Sequence, residues 1–422
     1  MMRRCLLAVV LVHHAQGELL CERAGACAPR EEESSILLHT RLTKANVSKH
    51  MSGGKRLNAE KPPQDYSFER YMKDFGKDYD PASSEYAERK EAFEVALKAV
   101  QAHNADASQT YKLGLNVFSD WSAKELKSLR GLKKMKKEAS AFKVKPLNPH
   151  KPEKYPKKVD WRESYPSVSP AKNQGHCGSC WAFATAGVVE TCAAIASGVL
   201  TILSPQQLVS CAENKFHCGG TGGCQGSTAE IAMDYIIKNG MTYEDVIPYG
   251  DFFGNGPKCS IQMQFHAMAY KMVTIQGWVK TETNSLEDVM HALVNYGSLA
   301  ISVDASDWSA YSSGIANPCK GKDNVDIDHA VNLVGYGEED GMLFWIVRNS
   351  WGATWGENGY IRLERQGKKK ECYMDKTPHH GSACEADPDT PVEVCGTCGI
   401  LYDVSYPEGC EVVGAGKGAV DR

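Results

Sequence analysis

The run Asn173-Gln-Gly-His-Cys-Gly-Ser-Cys-Trp-Ala-Phe183 constrains this chain more than any other stretch. After Cys180 an apolar, alanine-rich segment continues to Ala196, and Gly198 stands where a helix would end. Gly178-Ser179 can turn the chain into that helix. Cys180 would then occupy the helix N-terminus, where free backbone amides and the helix dipole favour an anion. The thiolate, not the thiol, is the nucleophile, and a nearby imidazolium would lower the thiol pKa further.

Two later segments offer the partners such a cysteine needs. His329 lies 149 residues on, in Asp328-His-Ala-Val-Asn-Leu-Val-Gly-Tyr-Gly337, and Asn349 lies 169 residues on, in Arg348-Asn-Ser-Trp-Gly352. A lone histidine is more often a satisfied core residue. Here the flanking residues on both sides match a pattern, and with the cysteine motif they resemble the papain-like cysteine peptidases, including the lysosomal cathepsins. The resemblance spans about residues 65 to 408. It implies an α+β, two-lobed fold with a cleft at the seam: a helical half carrying the cysteine on its central helix, and a β-barrel-like half carrying the histidine. Helix-like patterns at Ser204–Ser210 and Ser227–Asn239 agree with it, as do strand-like runs at Leu299–Val303, Ala330–Tyr336, Met342–Arg348 and Gly359–Leu363.

The resemblance also implies roles. Cys180 attacks the peptide carbonyl, and His329 holds the thiolate as an ion pair before protonating the leaving amine. Asn349 orients the imidazole under the shield of Trp351. Gln174 and the Cys180 backbone amide form the oxyanion hole. Gly223-Cys-Gln-Gly-Ser227 stands where relatives have Gly-Cys-Asn-Gly-Gly, so Gly226 and Ser227 would meet the substrate backbone. Ser227 replaces a glycine that favours close approach and is expected to narrow the non-prime cleft. Thr228, Ala229, Ser302 and Ala330 would line the S2 pocket, with Asp403 at its floor. An acidic floor implies acceptance of Arg beside apolar residues; an Asp403 turned to solvent implies an apolar preference alone.

The cysteines set the compartment. Sixteen are too many for a reducing cytosol unless they bind metal. Thirteen lie from Cys177 onward, leaving twelve without the nucleophile. The resemblance implies Cys177–Cys224, Cys211–Cys259 and Cys319–Cys398. Cys192, Cys218, Cys372, Cys384, Cys395 and Cys410 are left with fifteen possible pairings. Most fall in the insertion Gln366–Val394 and the C-terminal tail, where crosslinks would restrain long loops.

Before the peptidase, residues 1–17 read as a secretory signal: basic Met1–Arg4, a short apolar core, and small residues near Gly17. Residues 18–64 form a polar extension with Cys21, Cys27 and the sequon Asn46-Val-Ser48. Residues 65–130 read as a pro-domain. Glu85, Arg89, Phe93, Ala96, Val100 and Asn104 fall on one helix face. Their spacing resembles the ERFNIN motif of cathepsin L-like propeptides, with Ala96 and Val100 departing from it. Gly114-Leu-Asn116-Val-Phe118-Ser-Asp120 resembles the motif that follows it. Such a pro-domain is expected to lay its tail backwards through the cleft, and carboxylates such as Glu85 and Asp120 would lose ion pairs on acidification. Residues 131–154 read as an exposed activation linker, and 155–422 as the peptidase, where Val159-Asp-Trp161 resembles the start of mature relatives.

Net charge is −4, with nothing to suggest nucleic acid or a membrane anchor. Expected partners are peptide and protein substrates, the chain's own propeptide and cystatin-like inhibitors, with a monomeric enzyme, no cofactor and no metal. The destination is a lysosome-like vacuole or the exterior. Rival readings are weaker. A redox Cys177-x-x-Cys180 or Cys395-x-x-Cys398 lacks its βαβ context, the cysteine spacings do not repeat as a zinc set with His379-His380, and an inactive binding homologue would not keep all four catalytic positions. The paired histidines resemble an occluding loop of a carboxydipeptidase in the family but lie after His329, so an endopeptidase is expected, with an exopeptidase as the alternative.

Overall fold

The structure, a computed structural model, describes residues 65–132, 155–164, 167–367, 371–385 and 387–413. The expected signal sequence, the polar extension with Cys21, Cys27 and its sequon, and residues 133–154 of the linker lie outside the described residues.

Aromatic packing builds the pro-domain. The helix Phe68–Phe75 starts at Ser67, whose hydroxyl accepts from the Arg70 amide, and stops at Gly76 in the left-handed region. The long helix Ser84–Ala105 is capped by Ser83. Phe93 packs its ring 4.8 Å from Tyr71 and 5.5 Å from Phe68, while Val100 is fully buried beside them. Asn104 spends its amide on one backbone neighbour: Nδ2 donates to the Leu113 carbonyl at 2.8 Å and Oδ1 accepts from the Leu113 N–H at 3.0 Å. That fixes the strand Tyr111–Leu113, which pairs antiparallel with the strand Tyr311–Ala316. A Cβ at Gly314 would lie 2.7 Å from the Thr110 carbonyl oxygen, so glycine is what lets the pro-strand dock. The pro-domain thereby extends the sheet of the second lobe.

The first lobe is organised on the helix Cys180–Ser197, which ends at Gly198 with φ 74°. Fourteen of its eighteen residues are buried, which explains why it shows no amphipathic stripe. It is the one described helix long and apolar enough to cross a membrane, but here it is enclosed by protein. Its small side chains let the helices Pro205–Cys211 and Ala229–Asn239 and the strand His329–Glu339 approach closely.

The second lobe is a nine-stranded sheet counted over the described residues. Its central strands are Tyr360–Glu364, Met342–Arg348, His329–Glu339, Leu299–Val303 and Asp403–Glu408, in that order. Apolar runs with few polar breaks fit strands covered on both faces. A buried Arg348 joins the lobes: it donates to Asn332 Oδ1 at 2.6 Å and to the Ser169 carbonyl at 2.9 Å.

All twelve cysteines other than Cys180 from Cys177 onward are in disulfides. The three pairs implied by resemblance are present. The six left open pair as Cys192–Cys410, Cys218–Cys384 and Cys372–Cys395. The last crosses a hairpin of Cys372–Asp375 with Val392–Cys395 inside the insertion. Sulfurs held in disulfides are not thiolate ligands for zinc.

Candidate active site

Cys180 is the first residue of its helix and fully buried. Its Sγ accepts from the Ala330 N–H at 3.4 Å and from the Gly131 N–H at 3.2 Å. His329 opens its strand, next to Ala330, so the sheet itself brings the imidazole to the helix terminus. His329 Nε2 is 2.9 Å from Asn349 Oδ1, which makes Nε2 the protonated nitrogen of a neutral ring. Nδ1 has no hydrogen-bond partner among the described residues. Trp351 lies over the imidazole at 5.0 Å between ring centroids, and Phe118 of the pro-domain packs edge-on to Trp351. Ser350 Oγ donates to Gln174 Oε1 at 2.6 Å, which turns the Gln174 Nε2 donors toward the cysteine loop.

The pro-segment occupies this constellation. The Leu129 carbonyl accepts from Gln174 Nε2 at 2.8 Å, so it takes a donor that the family resemblance assigns to an oxyanion. The next residue, Arg130, pairs with the buried Asp328 at 2.9 Å. Gly131 then presents its N–H, not its carbonyl, to the sulfur. A Cβ at Gly226 would overlap the Gly131 carbonyl oxygen, so the close approach falls on Gly226, whose φ is +94°. Leu132 follows, donating to the Asp328 carbonyl at 3.2 Å. The chain thus runs from the oxyanion donor toward Gly226 and Ser227. If a substrate's acyl residues lie toward Gly226 and Ser227, as the family resemblance implies, the pro-segment runs in the opposite sense.

Burial sets the protonation states. It pushes the Cys180 thiol up to about 11, the backbone donors opposing only in part. It pulls His329 down to about 4, against its bond to Asn349. With the pro-segment seated, the pair is therefore a thiol and a neutral imidazole. Burial also raises Asp328, and Arg130 works against that rise.

The remaining pocket residues lie where the sheet register puts them. Asp403 pairs across strands with Ser302, and Ser302 with Ala330, so the three form one row facing the helix that starts at Ala229. Asp403 is 7% exposed and does not turn to solvent. Nor is its charge free: Lys280 pairs with it, Ser302 Oγ donates to it at 2.6 Å, and Glu230 lies 4.0 Å from the same lysine. Burial opposes the Asp403 charge, but Lys280 and Ser302 outweigh it and hold the carboxyl below its usual range. Neither expected outcome for the floor describes this, because Lys280 carries no sequence signal beyond being a lysine in a strand. Ser227 is fully buried, with Oγ unpartnered among the described residues. Its φ is not positive, so it needs no glycine. Thr228 is the N-cap position of the helix that follows, although its hydroxyl makes no capping bond.

The pro-domain motif residues hold that domain to the peptidase or to itself. Arg89 pairs weakly with exposed Glu85 at 3.6 Å but meets Glu125 with two bonds of 2.7 and 2.8 Å. Asp120 is buried between Lys77 at 2.9 Å and Tyr79 at 2.7 Å. Asn116 Nδ2 donates to the Ser309 carbonyl, and the Gly114 N–H to that of Ala310. Trp121 stacks on His176 at 4.2 Å.

Comparison with known proteins matches residues 155–381 to the family described as papain family cysteine protease. The chain belongs to that family. Residues 68–126 match the cathepsin propeptide inhibitor domain, so this papain-family protease carries its own inhibitor domain. It is 39% identical to pro-cathepsin H of Mus musculus over 302 residues, 71% of this chain and 86% of that protein. The figure for pro-cathepsin H of Bos taurus is 40%, covering 71% and 85%. Its fold is similar to that of digestive procathepsin L 3 from the larval midgut of Tenebrio molitor, with a TM-score of 0.62, 29% identity, and 79% and 95% of the two chains covered.

Proposed function

We propose that this cysteine peptidase is made as a latent zymogen of the secretory route, in which Cys180, His329, Asn349 and Gln174 perform peptide-bond cleavage once residues 129–132 leave the cleft. The observation that carries the reading is the double occupancy by the pro-segment: Leu129 on Gln174 and Gly131 on Cys180. With that segment gone, water returns to the cleft. The burial that favours thiol and neutral imidazole is relieved, and a proton passes from Sγ to His329 Nδ1. The thiolate then attacks the substrate carbonyl carbon. Negative charge on the carbonyl oxygen is met by Gln174 Nε2 and the Cys180 amide, the C–N bond breaks, and His329 gives its proton to the leaving amine. Water, deprotonated by His329, hydrolyses the thioester and restores the thiol pair. Asn349 keeps the imidazole plane fixed throughout.

Six disulfides support maturation in an oxidising compartment, with a lysosome-like vacuole or the exterior as destination. The working enzyme is read as a monomer open to cystatin-like inhibitors. A neutralised Asp403 supports an apolar preference at S2 over an arginine preference. An endopeptidase needs a cleft open at both ends. The segment Thr377–Glu385, which crosses one end, favours the exopeptidase alternative.

The test is to hold the full-length protein at about pH 5 under mild reductant and follow its mass and its hydrolysis of a fluorogenic Leu-Arg dipeptide, beside Cys180→Ala. The wild type should shorten to a chain starting near Tyr155 and gain activity that a thiol-alkylating epoxide removes, while the variant stays inert. A processed wild type with no thiol-dependent hydrolysis would rule the reading out.

A further inference from the structure

The family match ends at residue 381, inside a segment that bridges the two walls of the cleft. This strap leaves the hairpin strand Cys372–Asp375 on the histidine side. At its foot, Asp375 accepts from the Ile327 N–H at 3.3 Å and from the Thr377 N–H at 2.8 Å. A Cβ at Gly381 would overlap the Ile327 carbonyl oxygen, two residues before His329. The strap then reaches the cysteine side. The Ala383 carbonyl accepts from the Gly219 N–H at 3.1 Å, Glu385 meets His217 Nδ1 at 2.6 Å, and Cys384 is bonded to Cys218. Gly381 to Ala383 is two residues, a reach of at most about 7 Å. The walls therefore stand apart by no more than that reach plus one contact at each end, and a disulfide locks them.

The position of this bridge along the cleft follows from its neighbours. A Cβ at Gly219 would lie 3.2 Å from the Ser227 carbonyl oxygen, and one at Gly226 would overlap the Gly219 carbonyl. The Gly219 loop therefore lies on the acyl side of Cys180. Between the sulfur and the strap lie two pro-segment residues: Gly131 on Sγ, and Leu132 between the Asp328 carbonyl and Gly219, whose added Cβ would lie 2.8 Å from Leu132 Cδ2. Leu132 is only 2% exposed.

We propose that the strap Thr377–Glu385 is a stop at the acyl end of the cleft, limiting substrates to about two residues before the scissile bond and making this enzyme one that removes short units, up to a dipeptide, from the free N-termini of peptides. The proposal rests on the peptidase reading above. The step itself is the ordinary one: the N-terminal unit becomes the acyl group on Cys180, and the rest of the peptide leaves as the amine. Specificity arises by exclusion, since a third acyl-side residue would need the space of the strap backbone.

The experiment uses the acid-processed enzyme and a peptide of about twelve residues with a free N-terminus and Leu at its second position, with products read by mass at early times. A ladder of losses from the N-terminus, with kcat/KM at least about tenfold higher than for the same peptide acetylated and extended by two alanines, is expected. Cys218→Ser with Cys384→Ser, which unlocks the strap, should raise cleavage of the extended peptide at least about tenfold. Internal fragments from the wild type, or equal rates on the two peptides, would overturn the stop and leave the peptidase intact. Absence of thiol-dependent hydrolysis of either peptide would remove the peptidase reading and the stop together. Should the double variant misfold, the wild-type product map alone decides the question.

Discussion

The pro-domain and the peptidase draw on different physics. Among the described residues, 65–132 contain no disulfide; a small aromatic core is set by ion pairs such as Arg89–Glu125 and Lys77–Asp120. The peptidase has two larger cores and all six described disulfides. Ion pairs respond to pH and disulfides do not. Among the described residues, the part that must be lost has no crosslink behind its pH-sensitive contacts, whereas the part that must survive acid backs its own ion pairs, such as Lys172–Glu190 and Lys280–Asp403, with disulfides. Glu125 shows the sign. Burial works against its charge, but Arg89 and Ser122 outweigh that and hold it below the usual carboxylate range. A depressed carboxyl contributes stability that is present above its unfolded value and lost as pH falls through its folded one. Asp328 differs in sign: burial raises its carboxyl although Arg130 favours the ionised form, so this contact is not one that acidification releases.

Predictions that break or sharpen this contrast differ in size. Cys180→Ala in otherwise processed enzyme should lower kcat/KM by at least about ten-thousandfold, with the fold intact by circular dichroism. Replacing Cys192 and Cys410 by Ser opens a link 218 residues apart in sequence. It should cost the peptidase about 2–5 kcal/mol in denaturant unfolding without moving the pH midpoint of pro-domain release. Arg130→Ala should weaken the isolated pro-segment as an inhibitor by about tenfold to a hundredfold, because it leaves the buried Asp328 without its partner. Glu125→Gln should shift pro-domain release to higher pH, a modest effect because the pair is partly exposed. Lys280→Met should change the Arg-to-Leu preference at S2 least, by a few-fold toward Arg, since a substrate arginine can then take the place of the lysine beside the buried Asp403.

Much of this was legible in the sequence, for physical reasons. The helix from Cys180 to Gly198 could be read because an alanine-rich apolar run with a glycine stop has one structural meaning. The row Asp403–Ser302–Ala330 was implied only by the family resemblance, and the register that joins it comes from the folded sheet. What could not be read depends on contacts between distant segments. Lys280 beneath Asp403, Glu125 under Arg89 and Asp328 facing Arg130 are ordinary charged residues until the chain folds. The cysteine count required the extra six to pair, yet only the folded chain shows that Cys218 and Cys384 meet across the cleft. Gly226, not Ser227, proved to be the position that admits no side chain, because φ is a property of the turn and not of the motif.

The most direct test is the rate at which Cys180 is alkylated by a small haloacetamide at about pH 6, in the full-length zymogen and in the processed enzyme. Labelling is read by mass on the Cys180 peptide. A thiol raised to about 11 is almost wholly protonated there, while a thiolate–imidazolium pair is almost wholly ionised, so processing should speed alkylation by at least about a thousandfold. Rates equal within about threefold would contradict the claim that the pro-segment holds this peptidase latent by keeping its nucleophile buried and protonated.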